Sequence, residues 1–190
     1  MTSSKEAAMP PRRKPTAAEM AFLLSFHAAL SGAFIVAYLT ADEDTYGMHV
    51  AAGYTALVAL TLRAVAGIFA KDGSVLRFPR PLLGATLGWF TRLLSGDANA
   101  RRERSPLLAW MALALLIGVG AAAATGAVAD FLPSAEDLHE ALGEASLFIV
   151  FAHIALVLAL HVLKEPGRAA SSLRSLVERF HTARREVRHP

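Results

Sequence analysis

The chain contains no cysteine, and charged residues make up only 18% of its 190 residues. Without cysteine it cannot form disulfides, thiolate-ligated iron–sulfur clusters, zinc–thiolate sites or the C-x-x-C-H linkage that attaches a c-type haem. Soluble domains carry about 25% charged residues, so this chain is poor in charge. Any cofactor is therefore expected to be held by histidine, by oxygen ligands or by packing alone.

Hydrophobic residues make up 54% of the chain and are concentrated in long runs. A helix that crosses a bilayer needs about 20 apolar residues, and four runs come close to or exceed that length: 20–40, 48–70, 106–129 and 145–163. The fourth is predicted to extend back to a polar start near Asp137. The first run is too long for the h-region of a signal peptide and shows no small-residue cleavage site, so we expect an uncleaved span. The predicted fold is all-α, a four-helix transmembrane bundle with cytoplasmic amphipathic segments.

The segments outside the predicted spans are alternately rich in lysine and arginine and free of them. The N-terminal segment, the connection between spans two and three, and the tail carry these basic residues, whereas the connections 41–47 and 129–140 contain none. Because basic connections stay inside, both termini are predicted to be cytoplasmic. The predicted organisation is a cytoplasmic segment (1–19), a four-span domain (20–163) and a basic cytoplasmic tail (164–190).

Two cytoplasmic stretches, 79–96 and 171–188, carry apolar residues at helical spacing. Each is predicted either to lie among the lipid headgroups, with its arginines on anionic phosphates, or to pack as a cap on the bundle. Trp89, in the first stretch, is predicted to be an interface anchor. The basic residues are assigned to membrane lipid, and no nucleic-acid partner is expected.

Four of the seven histidines lie in or at the ends of predicted spans: His27, His49, His139 and His153. One membrane histidine is as often a structural hydrogen-bonding residue as a functional one, but ionisable groups there are rare and costly. His139 and His153 are 14 residues apart, so they share a helix face about 21 Å apart. By depth, His49 pairs with His139 near the outer surface, and His27 with His153 further in. Two facing imidazoles suit a six-coordinate haem iron, and the sequence therefore predicts two bis-histidine b-type haems.

Three further residues are candidates for contact with these haems. Gly53 and Gly143 lie one turn from His49 and His139, where they would leave room for a flat porphyrin; the alternative is close helix packing. Arg63 lies 14 residues after His49 on the same face and is predicted to pair with a haem propionate. The alternative for Arg63 is a side chain that extends to lipid phosphate.

Several segments resemble the bacterial cytochrome b561 family, which includes the cytochrome b subunits of nickel–iron hydrogenases. The second span resembles the family pattern of His-x-x-x-Gly-Tyr followed by arginine, at His49, Gly53, Tyr54 and Arg63. The segment RFPRP, the pairs Ser-Pro and Thr-Gly around the third span, and the fourth span LHEALGEASLFIVFAHIALVLALHVL are also similar. The resemblance covers roughly 20–165. Leu24 and Ala28 stand where the family often has arginine and tryptophan, and Ser105 where it has asparagine.

The resemblance implies a di-haem cytochrome b that transfers electrons between the quinone pool and a partner redox protein. The acidic outer connections favour a basic partner, such as a soluble cytochrome c. Two alternatives remain: a small transporter that uses histidines for metal ions or protons, and a structural membrane subunit without a redox role. A transporter of this kind would need its ligands at one depth and carboxylates inside the spans. In this sequence the acidic residues cluster in the connections instead.

Overall fold

The computed structural model describes residues 14–164, apart from the side chain of Arg102, and this part is helical without strands. Its helices are α1 (Ala17–Leu39), α2 (Tyr46–Phe69), α3 (Leu83–Leu94), α4 (Ala98–Arg102), α5 (Leu107–Ala129) and α6 (Glu136–Lys164). Single 3-10 turns, Glu43–Thr45 and Pro133–Ala135, lead into α2 and α6.

Helices α1, α2, α5 and α6 are long and apolar enough to cross a membrane. They contain 23, 24, 23 and 29 residues. At 1.5 Å per residue each is at least about 34 Å long, against about 30 Å for the hydrocarbon core of a bilayer. The predicted all-α fold with four spans is confirmed, and the chain is a multi-pass membrane protein.

Helix α1 begins with a capping box that also contacts the connection after α2. The Glu19 backbone N–H donates to Thr16 Oγ1 at 3.2 Å, and the Thr16 backbone N–H donates to Glu19 Oε2 at 2.8 Å. This satisfies donors that a helix start leaves open. Ser74 Oγ donates to Glu19 Oε1 at 2.6 Å, so the start of α1 is joined to the connection that follows α2.

Helices α1 and α2 form an antiparallel pair that packs through small residues. The buried residues of α2 recur every three or four positions along one face: Ala52, Ala56, Leu60, Arg63 and Gly67. Ala33 is the buried residue of α1. Alanine and glycine allow helix backbones to approach closely in a membrane, where lipid is as apolar as leucine.

The chain divides into two compact units. The first contains the described residues up to 80 together with 112–147, and the second contains 81–111 together with 148–164. The ends of α1, α2, α5 and α6 that face the acidic connections 40–45 and 130–135 all belong to the first unit. We call this the acidic end of the spans.

The second unit is built around a buried tryptophan. Trp89 is 4% exposed, packs with Ala100 and Leu160, and donates its indole N–H to the Ala100 carbonyl at 2.9 Å. The prediction that Trp89 is an interface anchor was wrong, because the turn after α3 brings α4 back over the indole. Leucines of α3, α5 and α6 complete this cluster: Leu93, Leu107, Leu108 and Leu156.

Helix α3 has two apolar faces with different surroundings. Trp89 and Leu93 belong to the packed cluster, whereas four other apolar residues are exposed: Leu83, Leu87, Phe90 and Leu94. The packed face fits the prediction that this stretch caps the bundle, and the exposed face fits the prediction that it lies among the lipid headgroups. The second amphipathic stretch, 171–188, lies outside the described residues, as do the tail 165–190 and residues 1–13.

Ser105 caps the start of α5. Its hydroxyl accepts a hydrogen bond from the Leu107 N–H at 3.2 Å, and the residue is 2% exposed. Serine and asparagine are comparable N-cap residues. Ser105 therefore provides a capping acceptor, as the asparagine of the cytochrome b561 pattern would.

Candidate functional site

His49 lies in the first turn of α2 and is held by the end of α1. Its Nδ1 lies 2.8 Å from the Ala37 carbonyl oxygen, and the ring is half-buried. The last four carbonyls of a helix have no partner within that helix, and Ala37 is among them. The contact therefore gives the carbonyl a donor and fixes the orientation of the imidazole.

His139 lies in the first turn of α6 and is held by the middle of α5. Its Nδ1 lies 3.0 Å from the Ala122 carbonyl oxygen. The ring rests on Gly126, where a Cβ atom would lie 2.8 Å from His139 Cε1 and 3.1 Å from Nδ1. Only a residue without a side chain leaves this space. Gly126 thus determines how closely the imidazole approaches α5.

The two imidazoles meet at the acidic end of the spans. Their ring centroids are 5.9 Å apart, and their planes are inclined at 70°. A carbonyl oxygen only accepts hydrogen bonds, so each Nδ1 carries the proton that it donates. In the neutral ring the lone pair then lies on Nε2. The pair therefore presents two imidazoles in the tautomer that leaves Nε2 able to bind a metal.

Gly53 and Gly143 lie beside open space. Among the described residues, no atom lies within 4 Å of a Cβ atom built on either glycine. Within residues 14–164 neither glycine makes a close helix contact, whereas at Gly67 a Cβ atom would lie 2.9 Å from the Phe78 ring. Ser146, seven residues after His139, is 1% exposed. The face of α6 that carries His139 is therefore directed towards the interior of the first unit.

Arg63 is 6% exposed, near the opposite end of α2 from His49. Its Nη1 donates to the Leu76 carbonyl at 2.7 Å, and the guanidinium lies over the Phe78 ring, 5.7 Å from the centroid. These contacts join α2 to the connection that follows it. Sequence reasoning identified Arg63 but neither partner. The propionate contact stays a prediction.

His27 belongs to the first compact unit and His153 to the second. His27 is exposed on α1, and no atom of residues 14–164 lies within 4 Å of a Cβ atom built on the nearby Gly32. His153 is half-buried on α6. Their predicted pairing as ligands of a second haem stays a prediction.

Two tyrosines and one aspartate at the acidic end were not predicted to interact. Tyr54 Oη donates to Asp130 Oδ2 at 2.7 Å, and Tyr46 Oη donates to Asp130 Oδ1 at 3.4 Å. The Tyr46 ring is also stacked near His49, with centroids 6.1 Å apart. The sequence held two signals of this contact. Asp130 directly follows an apolar run, and Tyr46 and Tyr54 lie near the start of the second span.

No family model, curated protein or solved structure matches the chain.

Proposed function

We propose that this chain is a membrane b-type cytochrome that transfers electrons through haems held by pairs of histidines. The observation that carries the proposal is the His49–His139 pair, with both Nδ1 protons directed to helix carbonyls. The resemblance of the spans to the cytochrome b561 family supports it independently. Quinone in the membrane and a partner redox protein, such as a cytochrome c, are the proposed electron exchange partners.

The separation of the two rings fits one shared iron. If His49 and His139 held one metal ion through ring nitrogens, bonds of about 2 Å each would keep the two ring centres roughly 6 Å apart. The observed separation is 5.9 Å. These two residues would hold the haem, which would supply one-electron chemistry.

The chain's own residues prepare these ligands. The carbonyls of Ala37 and Ala122 hold the Nδ1 protons of His49 and His139, which fixes the tautomer and orients the rings. Gly53 and Gly143 leave open space one turn further along each helix. A proposed second haem would use His27 and His153, with Arg63 near a propionate.

The orientation of the chain is part of the proposal. The acidic connections carry no lysine or arginine, which supports an outer location for the His49–His139 pair and cytoplasmic termini in a bacterial plasma membrane. An outer acidic surface favours a basic redox partner, because complementary charge speeds encounter. Reporter fusions to the two termini should both give the cytoplasmic signal.

The absorption spectrum of the purified full chain tests the proposed function. We expect a sharp α band after reduction with dithionite and, by the pyridine haemochrome assay, two b-type haems per chain. A protein that stays without haem when it is expressed with ample haem supply would contradict the proposal. A colourless protein that binds zinc would instead favour the transporter. Among residues 14–164, no three histidine or acidic side chains gather as ligands for a metal ion, so the structure offers that alternative no specific support.

A further inference from the structure

The Asp130 carboxylate lies between two phenols of α2. Tyr46 and Tyr54 are eight residues apart, a rise of about 12 Å along the helix. Each donates to a different oxygen of Asp130, at 3.4 Å and 2.7 Å. The end of α5 is thus attached to α2 through a negative charge.

Asp130 is connected to both histidines of the pair. On α5, the Asp130 N–H donates to the Gly126 carbonyl at 3.2 Å, and Gly126 is the residue on which the His139 ring rests. On α2, Tyr46 donates its hydroxyl to Asp130, and its ring is stacked near His49 with the ring centres 6.1 Å apart. A change at Asp130 therefore reaches each imidazole through one intervening residue.

A fixed negative charge at this position has a definite electrostatic effect. An iron bound by the two imidazoles carries one more positive charge when oxidised than when reduced. Asp130 is exposed, so solvent weakens its field, but its carboxylate still attracts the oxidised form more strongly than the reduced form. The charge at Asp130 should therefore lower the midpoint potential of the site that it borders.

We propose that Asp130 is a positioning residue which, held by Tyr54 and Tyr46, fixes α2 against α5 beside His49 and His139 and lowers the potential of the centre they hold. This inference rests on the proposed function. The residue acts through its charge and through its two phenol contacts, and it does not touch the iron ligands directly.

Redox titration of the purified full chain, followed in the α band, tests the inference. Asp130→Asn removes the charge and keeps an oxygen that can accept from Tyr54. The equilibrium constant for reduction of one centre, the one lost in His49→Ala, should rise at least threefold, which is about 28 mV at 59 mV per tenfold change. The other centre should keep its midpoint. Tyr54→Phe, which releases the carboxylate towards water, should raise the same midpoint by less.

Asp44→Asn is the matched control, because Asp44 and Asp130 are both exposed at the acidic end and carry the same charge, but only Asp130 is bonded to Tyr54 and Tyr46. If Asp130→Asn and Asp44→Asn have the same midpoints, the role of Asp130 is refuted while the haem assignment stands. Should Asp130→Asn fail to fold, Tyr54→Phe alone decides, and a wild-type midpoint in that variant overturns the inference. A wild-type chain that takes up no haem refutes the proposed function instead.

Discussion

Replacing Gly126 with alanine should displace His139 from its carbonyl partner. The added Cβ atom would lie 2.8 Å from Cε1 of the ring, whereas carbon atoms in contact prefer about 3.5–4.0 Å. The ring must therefore move by roughly 1 Å. Its 3.0 Å contact with the Ala122 carbonyl would then exceed hydrogen-bond range. The substitution tests whether this glycine sets the position of the His139 ring.

The energetic terms of Gly126→Ala oppose one another. Overpacking costs about 1–3 kcal/mol, and a lost hydrogen bond costs about 0.5–1.5 kcal/mol. Alanine in a helix interior recovers about 1 kcal/mol relative to glycine. The net loss is about 0.5–3.5 kcal/mol. Gly120→Ala is the control on the same helix, since a Cβ atom there has no neighbour within 4 Å, and it should be neutral or slightly stabilising.

Thermal unfolding in detergent and the haem content measured by absorption provide the two readouts for Gly126→Ala. We expect a lower melting temperature and a selective loss of one haem, with Gly120→Ala unchanged in both measurements. If the two alanine variants cannot be distinguished, the placement of the His139 ring against Gly126 is wrong.

Three further substitutions test other contacts. Arg63→Gln removes a charged hydrogen bond to the Leu76 carbonyl and should cost about 1.5–3 kcal/mol in thermal unfolding; an unchanged stability would show that this bond does not hold α2. Trp89→Phe leaves a buried carbonyl without its donor and should cost about 1–3 kcal/mol, measured in the same way. The Arg92 guanidinium donates two hydrogen bonds to Glu103 and lowers the pKa of that carboxyl. Its contribution is present above the ordinary carboxyl pKa and is lost as the pH falls through the lowered value. At neutral pH the amides of residues 95–103 should therefore be better protected from exchange in the wild type than in Glu103→Gln, and in acid the two proteins should be equal. Equal protection at neutral pH would contradict the ion pair.

The spans were predictable because length and apolarity are local properties of the chain. The run at 106–129 and the helix Leu107–Ala129 differ by one residue. The fourth span starts earlier than its apolar run, at Glu136, because acidic residues suit the first turn of a helix. The sequence also predicted that His49 and His139 lie at the same depth along the spans. Both come just after an acidic connection, and a helix rises by a fixed amount per residue.

The lateral contacts of the site could not be predicted from the sequence. The partners of the imidazoles, Ala37 and Ala122, are ordinary alanines whose carbonyls matter only once the helices are placed side by side. Gly126 was noted as part of a Thr-Gly pair, but its contact with His139 depends on the rotation of α5 and α6. Trp89 was misplaced for the same reason, because its burial depends on the fold of the turn that follows α3.

The number of haems lost in single and double histidine variants tests the central claim most directly. If His49 and His139 share one iron, His49→Ala and His139→Ala should each remove the same single haem, and the double variant should remove no more than either alone. His27→Ala should leave that centre intact. If His49→Ala and His139→Ala removed spectrally different haems, or if the double variant lost two, the two imidazoles would not share an iron and the account would be wrong.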